Sequence, residues 1–215
     1  YVPYAFARRA ASYFNLKDYA NTIKDYTTLI NQYPAHPLAQ EVLLPLQESL
    51  QMAGRSSEFD QYLASVKKAS PDSKGLENLE FETAKKFYFN EQYDKAIVSL
   101  QEFVKAYPQS VLLQEANYYV AESYYRLRKW GEALPVYSGL KQYTTFQFAG
   151  RVAARLADVT FKLGKYEDAI INYHYYERYA VSKKDVYTAL SGLMASFYLL
   201  RQYDSSDHYA RQILE

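Results

Sequence analysis

The chain has 215 residues, with 25 Lys and Arg against 24 Asp and Glu and a formal net charge of +1, so no bulk electrostatic attraction to nucleic acid or an anionic membrane surface is expected. It contains no cysteine, which excludes disulfides, thiolate nucleophiles and thiolate metal sites, and no apolar run approaches the ~20 residues that span a bilayer as a helix. Its distinctive feature is 25 Tyr beside a single Trp, a heavy use of a side chain with an apolar body and a polar tip.

The first residue is Tyr1, no basic-then-apolar leader follows it, and residues 210–215 still read as helix; the chain is therefore expected to be a piece of a longer repeat array. Its first element pair runs to Pro34, with the motif Asp18-Tyr19-Ala20-Asn21-Thr22-Ile23 at its middle. That motif returns as Gln92-Tyr93-Asp94-Lys95-Ala96-Ile97, then around Trp130, Tyr166 and Tyr203. From Tyr93 onward these aromatic anchors are spaced by 37, 36 and 37 residues, and Tyr19 lies 74 before Tyr93, twice 37. One degenerate repeat must fill that gap, its second half being Arg55 to Pro71 with Phe59, Tyr62, Leu63 and Val66. Repeats are thus placed at 2–35, 37–71, 74–109, 111–145, 147–182 and 184–215.

Within each repeat two segments have apolar residues at helical spacing, such as Ala116, Val120, Ala121 and Tyr124 before the anchor Trp130 and Ala96, Ile97, Leu100 and Phe103 after the anchor Tyr93. Pro34, Pro71 and Pro108 close second helices, since proline cannot extend the hydrogen-bond ladder. No segment alternates polar and apolar over strand length. Twelve helices in six antiparallel pairs are expected, with turns near residues 17, 35, 54, 72, 91, 109, 129, 145, 165, 182 and 202.

The order small, aromatic, aromatic, Tyr, Ala-Ile, aromatic and Pro resembles the tetratricopeptide repeat (TPR) family, whose period is about 34 residues. Ala84, Ala121 and Ala157 match the family's small position where two helices cross, and Ala96, Ala133 and Ala169 its second one. Tyr13, Phe87, Tyr124 and Phe197 match its interior aromatic, from which Thr160 departs, and Ser206-Asp207 departs from the Ala-Ile pair. The stretch from Tyr93 to Ser110, followed by Glu115 to Tyr125, is similar to TPR proteins of the bacterial cell envelope, of the periplasmic Tol-Pal-associated and outer-membrane-assembly kinds. The resemblance implies an all-α right-handed superhelix, an α-solenoid of about six helix pairs. It also implies a periplasmic or outer-membrane-associated setting, with the cytoplasm as the alternative.

Stacked pairs leave the first helices lining a concave side. Carrying the family's groove positions over, 12, 8, 5 and 4 residues before each anchor, gives Phe81, Lys85, Tyr88 and Phe89, then Tyr118, Glu122, Tyr125 and Arg126. The next repeats supply Ala154, Asp158, Phe161 and Lys162, and Ser191, Ala195, Tyr198 and Leu199. An aromatic stripe with charges of both signs suits a polypeptide ligand, with Tyr88, Tyr118, Tyr125 and Arg126 as leading contacts. The alternative at these offsets is packing against the neighbouring repeat's first helix. A clamp for a C-terminal carboxylate, which the family builds from Lys and Asn, is not expected: Glu82, Lys85, Tyr119, Glu122, Arg155 and Asp158 stand at the equivalent positions.

Catalytic motifs are missing: no glycine-rich phosphate loop, nucleophile elbow or His-Glu-x-x-His occurs. His36, His174 and His208 lie in different repeats and read as surface or packing groups. The run from Tyr173 to Tyr179 could stack sugars, but reads first as packing. The sequence thus points to a non-enzymatic scaffold for a protein or peptide partner, with no cofactor, metal, nucleic acid or membrane insertion. Alternatives are a spacer or self-association segment joined through the solenoid ends, or a glycan or cell-wall binder.

Overall fold

The computed structural model describes residues 1–70 and 74–214. The turn expected near residue 72, with Pro71, lies outside the described residues, as does Glu215 at the end of the last repeat. The described residues hold α1 (Val2–Asn15), α2 (Tyr19–Gln32), α3 (Pro37–Glu41), α4 (Leu43–Met52), a 3₁₀ turn (Ser56–Glu58), α5 (Phe59–Ala69) and α6 (Lys74–Phe89). They continue with α7 (Tyr93–Ala106), α8 (Leu113–Arg126), α9 (Trp130–Leu140), α10 (Ala149–Lys162), α11 (Tyr166–Glu177), α12 (Lys183–Leu199) and α13 (Tyr203–Leu214). No strand occurs among them. The fold is all-α, with sequential helices packed in pairs.

Thirteen helices stand where the sequence suggested twelve, because one helix is broken in two. Pro45 has no N–H to give the Glu41 carbonyl, and its ring collides with that carbonyl in a continuous helix. The helix therefore ends at Glu41 and restarts at Leu43.

Six turns share one geometry. Lys17, Gly54, Glu91, Arg128, Gly164 and Arg201 all have positive φ, between 57° and 72°, and their positions are spaced by 37, 37, 37, 36 and 37 residues. At each, the N–H of the following residue reaches back to a carbonyl five residues away: Asp18 to Tyr13, Arg55 to Leu50, Gln92 to Phe87, Lys129 to Tyr124, Lys165 to Thr160 and Gln202 to Phe197, at 2.7–3.0 Å. This is the Schellman closure, which satisfies helix-end carbonyls at the cost of one left-handed residue. Four of the six carry a side chain there, where glycine is the natural choice.

The chain forms two compact units, 1–82 and 83–215, the division falling within α6. In the first, α1 packs on α2, and α2 on α4 and α5. Its core gathers Ile23, Tyr26, Leu29, Leu43, Leu46, Leu50 and Val66, with Leu76 and Leu79, and the buried Asp25 is held by Arg9 through bonds of 2.6 and 2.8 Å. In the second, α7 through α13 each pack on the next in sequence.

Small residues mark the crossings. Ala10, Ala84, Ala121 and Ala157 are buried on first helices, and Ala96, Ala133 and Ala169 on second helices. The departures keep the same size: Thr22 and Ser206 occupy the second position, buried, and each turns its hydroxyl to a carbonyl of the paired helix, Ala10 at 3.5 Å and Met194 at 3.0 Å. The last pair therefore forms despite Ser206-Asp207. Thr160 likewise fills the interior position by donating to Leu156 and Ala157 of its own helix.

Candidate functional site

The aromatic residue five before each anchor meets that anchor across the turn. Ring centroids are 6.0 Å apart for Phe14 and Tyr19, 5.7 Å for Tyr88 and Tyr93, 5.0 Å for Tyr125 and Trp130, 5.5 Å for Phe161 and Tyr166, and 5.7 Å for Tyr198 and Tyr203. Edge-on pairs of this kind contribute roughly 0.5–1.5 kcal/mol beyond area burial. They brace the left-handed turn between them, each ring packing one edge against its partner.

In the second unit the first helices are also bonded to one another. Tyr125 Oη on α8 donates to Asp158 Oδ2 on α10 at 2.5 Å, Arg155 Nε donates to Glu122 Oε1 at 3.0 Å, and Arg151 donates to Tyr118 Oη at 3.1 Å. All three pairs are 33 residues apart. Lys85 on α6 reaches Glu115 on α8, and Tyr88 raises the pKa of Arg126 above the ordinary arginine value. Glu122 is buried and accepts a second bond, from Tyr137 Oη on α9 at 2.6 Å. Burial opposes the charge on Arg155, yet Glu122 beside it raises its pKa above the ordinary arginine value. Burial also raises the Tyr137 and Tyr118 phenols, and it pushes Tyr125 up to about 12, with the bond to Asp158 adding to the effect. Arg155 Cζ lies over the Tyr125 ring, 3.9 Å from its centroid.

A family model for the tetratricopeptide repeat matches residues 4–36 and 79–110. These two stretches carry the tetratricopeptide pattern. In fold the chain is similar to the C-terminal part of a TPR repeat-containing protein from Cytophaga hutchinsonii, at 16% identity over 99% of this chain and 82% of that one, with a TM-score of 0.64. A TPR protein from Parabacteroides merdae is similar at 13% identity over 99% and 79%, TM-score 0.53. PilW, a widely conserved type IV pilus biogenesis factor, is similar at 14% identity over 99% and 92%, TM-score 0.51. No curated protein matches the sequence significantly. Tetratricopeptide repeats are in general non-enzymatic modules for protein–protein interaction.

On this helical frame the twelve candidate groove residues separate into three groups. Phe81, Tyr118 and Glu122 are only 2%, 1% and 1% exposed, so their side chains are not available to a ligand. Tyr118 is covered because the segment before α10 folds back: Phe148 stacks on it at 4.4 Å and Phe146 meets it at 6.1 Å. Glu122 is consumed by Tyr137 and Arg155. Lys85, Tyr88, Tyr125, Asp158 and Phe161 are half-buried, engaged with their turn or the next repeat while keeping one edge open. Phe89, Arg126, Lys162 and Tyr198 are exposed, Phe89 and Tyr198 at 62% and 61%. The positions four before each anchor, Phe89, Arg126, Lys162 and Leu199, are thus all left outward by the first helices of this unit.

Three features escaped the sequence reading. Arg155 and Tyr137 close around Glu122, a pairing signalled by opposite charges 33 residues apart. Arg128 and Trp130 line an open recess beside Tyr125, Arg126 and Lys162. His174 has an acidic partner three residues on, Glu177, at 2.7 Å, a helical i,i+3 pair on the surface. Among the described residues no group of three or more His, Asp and Glu is placed to hold a metal ion, and no helix is long and apolar enough to cross a membrane.

Proposed function

We propose that the chain is a non-enzymatic scaffold that holds a polypeptide partner on the first-helix face of residues 83–215, in a bacterial envelope assembly. The observation that carries this reading is the outward row at the position four before each anchor, Phe89, Arg126, Lys162 and Leu199, with Tyr198 beside it. Large apolar groups left in water on a tightly braced framework are the usual mark of an interaction face, and rings of two torsions bind at low entropy cost. Lys85, Tyr88, Tyr125, Asp158 and Phe161 frame that row. The inter-repeat bonds hold it rigid before any ligand arrives, which lowers the cost of association. The envelope setting is supported by the resemblance of Tyr93 to Tyr125 to envelope TPR proteins and by a fold in common with PilW, a pilus biogenesis factor.

The test is capture from a bacterial envelope extract by the wild-type chain and by a Phe89→Ala/Arg126→Ala/Lys162→Ala/Tyr198→Ala variant, both checked for helicity. A partner held by the first and lost by the folded second supports the face. Equal retention by both moves the site elsewhere, and concentration-dependent self-assembly without a partner favours a self-association segment.

A further inference from the structure

Beside the aromatic row, at the turn between α8 and α9, the molecule concentrates positive charge. An open recess there is lined by Tyr125, Arg126, Arg128, Trp130 and Lys162. We infer that this recess is the seat of an acidic polypeptide segment, one whose carboxylates meet the arginines while its apolar side chains lie on Trp130.

The charges favour an anion. Asp158, the nearby acid, is already occupied on both oxygens, by Tyr125 at 2.5 Å and Lys162 at 2.6 Å. Lys162 also lies 5.4 Å from the centre of the Trp130 ring, so a cationic edge runs along the indole. Arg128 stands in the left-handed turn at φ 57°, exposed, and lines the recess. Arg126 is exposed on the recess wall, and a guanidinium carries five donors that can take a carboxylate in its fork. A second basic recess, between α9 and α11, is less free. There Lys141 is held by Asn172 at 3.0 Å and lies over the Tyr175 ring at 4.6 Å, and His174 is paired with Glu177.

The polypeptide nature of the ligand rests on the scaffold reading above; the acidity and the seat rest on the recess itself. It differs from a carboxylate clamp, since its residues come from helix ends and the turn and do not come from the middle of the first helices.

Trp130 is the single Trp of the chain, so selective excitation of indole fluorescence reads this recess directly. The full chain is titrated at low salt with a synthetic peptide alternating Glu and Leu, with the same peptide carrying Gln for Glu, and with inorganic polyphosphate. A saturable change in Trp130 emission with the Glu peptide is expected, weaker by about tenfold with the Gln peptide, in raised salt, and in Arg126→Gln/Arg128→Gln. Lys141→Gln/Arg178→Gln is expected to bind as wild type. No saturable change, equal binding by Arg126→Gln/Arg128→Gln, or a response to polyphosphate without one to the peptide each overturns the inference. If a captured partner depends on Phe89 and Tyr198 while the Glu peptide fails, the scaffold reading stands and only the acidic seat falls.

Discussion

A left-handed backbone conformation costs an L-residue about 1–2 kcal/mol, and Lys17, Glu91, Arg128 and Arg201 all bear that strain at turns whose φ is 57–59°. Glycine removes the strain but carries more chain entropy into the unfolded state, about 0.5–1 kcal/mol. The balance predicts that Glu91→Gly stabilises by about 0.5 kcal/mol and that Gly164→Ala destabilises by a similar amount or slightly more. Urea titrations of both variants check the sign, and a destabilised Glu91→Gly defeats the argument. A second residue-level constraint is steric. A Cβ at Gly192 would sit 2.2 Å from Tyr173 Cζ, and Tyr173 is buried with little room to retreat. Gly192→Ala is expected to cost about 1–3 kcal/mol, as overpacking does. Tyr173→Leu in the same chain should recover part of the loss, which a double-mutant cycle measures.

At the scale of elements, the α8–α9–α10 contact is organised by one buried carboxylate. Removing one partner of a buried pair leaves an uncompensated charge and typically costs about 3–5 kcal/mol. Tyr137 remains bonded to Glu122 when Arg155 is lost, so Arg155→Met is placed near the lower end, about 3 kcal/mol. Glu122→Leu/Arg155→Met should be markedly more stable than Arg155→Met alone, and equal stability of the two in urea would show that the pair is not the reason. This network also explains what the sequence disclosed and what it withheld. The period was visible because five of the six turns repeat the same demand, a left-handed residue followed two positions on by an aromatic that pairs with one five residues back, while the Gly54 turn, followed by Arg55 and Ser56, lacks it. Pro45 was equally visible as a residue, but its effect depended on which helix ran through it, so the break before Leu43 went unread. The groove offsets fall on the first helices and include four exposed positions, Phe89, Arg126, Lys162 and Tyr198. They also include Phe81, Tyr118 and Glu122, which are buried; for Tyr118 and Glu122 the burial is decided by Phe148, Tyr137 and Arg155, partners distant in sequence whose approach no local pattern encodes.

For the whole molecule, the abundance of tyrosine makes stability depend on alkaline pH. Burial raises the phenols of Tyr88, Tyr118, Tyr137 and Tyr173 in the second unit, and takes Tyr125, Tyr175 and Tyr176 to about 12; in the first unit it raises Tyr26. A phenol is neutral when protonated, so a folded-state pKa above the unfolded value of about 10 means that folding holds the proton. Below pH ~10 both states are protonated and these groups make stability independent of pH. As pH rises past that point the unfolded chain ionises while the folded chain resists, and each such tyrosine removes about 1.4 kcal/mol per pH unit until its folded pKa is passed. With seven of these eight residues in the second unit, that unit should unfold first. Tyrosinate absorbance is therefore expected to rise in two steps, an early one from exposed rings with circular dichroism intact and a late one that coincides with loss of helix. Limited proteolysis across the late step should cut within 83–215 before 1–82. Ionisation of all 25 tyrosines in a single phase near pH ~10 with helicity unchanged would mean that the buried phenols are open to solvent, and with them the bonded ladder that joins the first helices of the second unit.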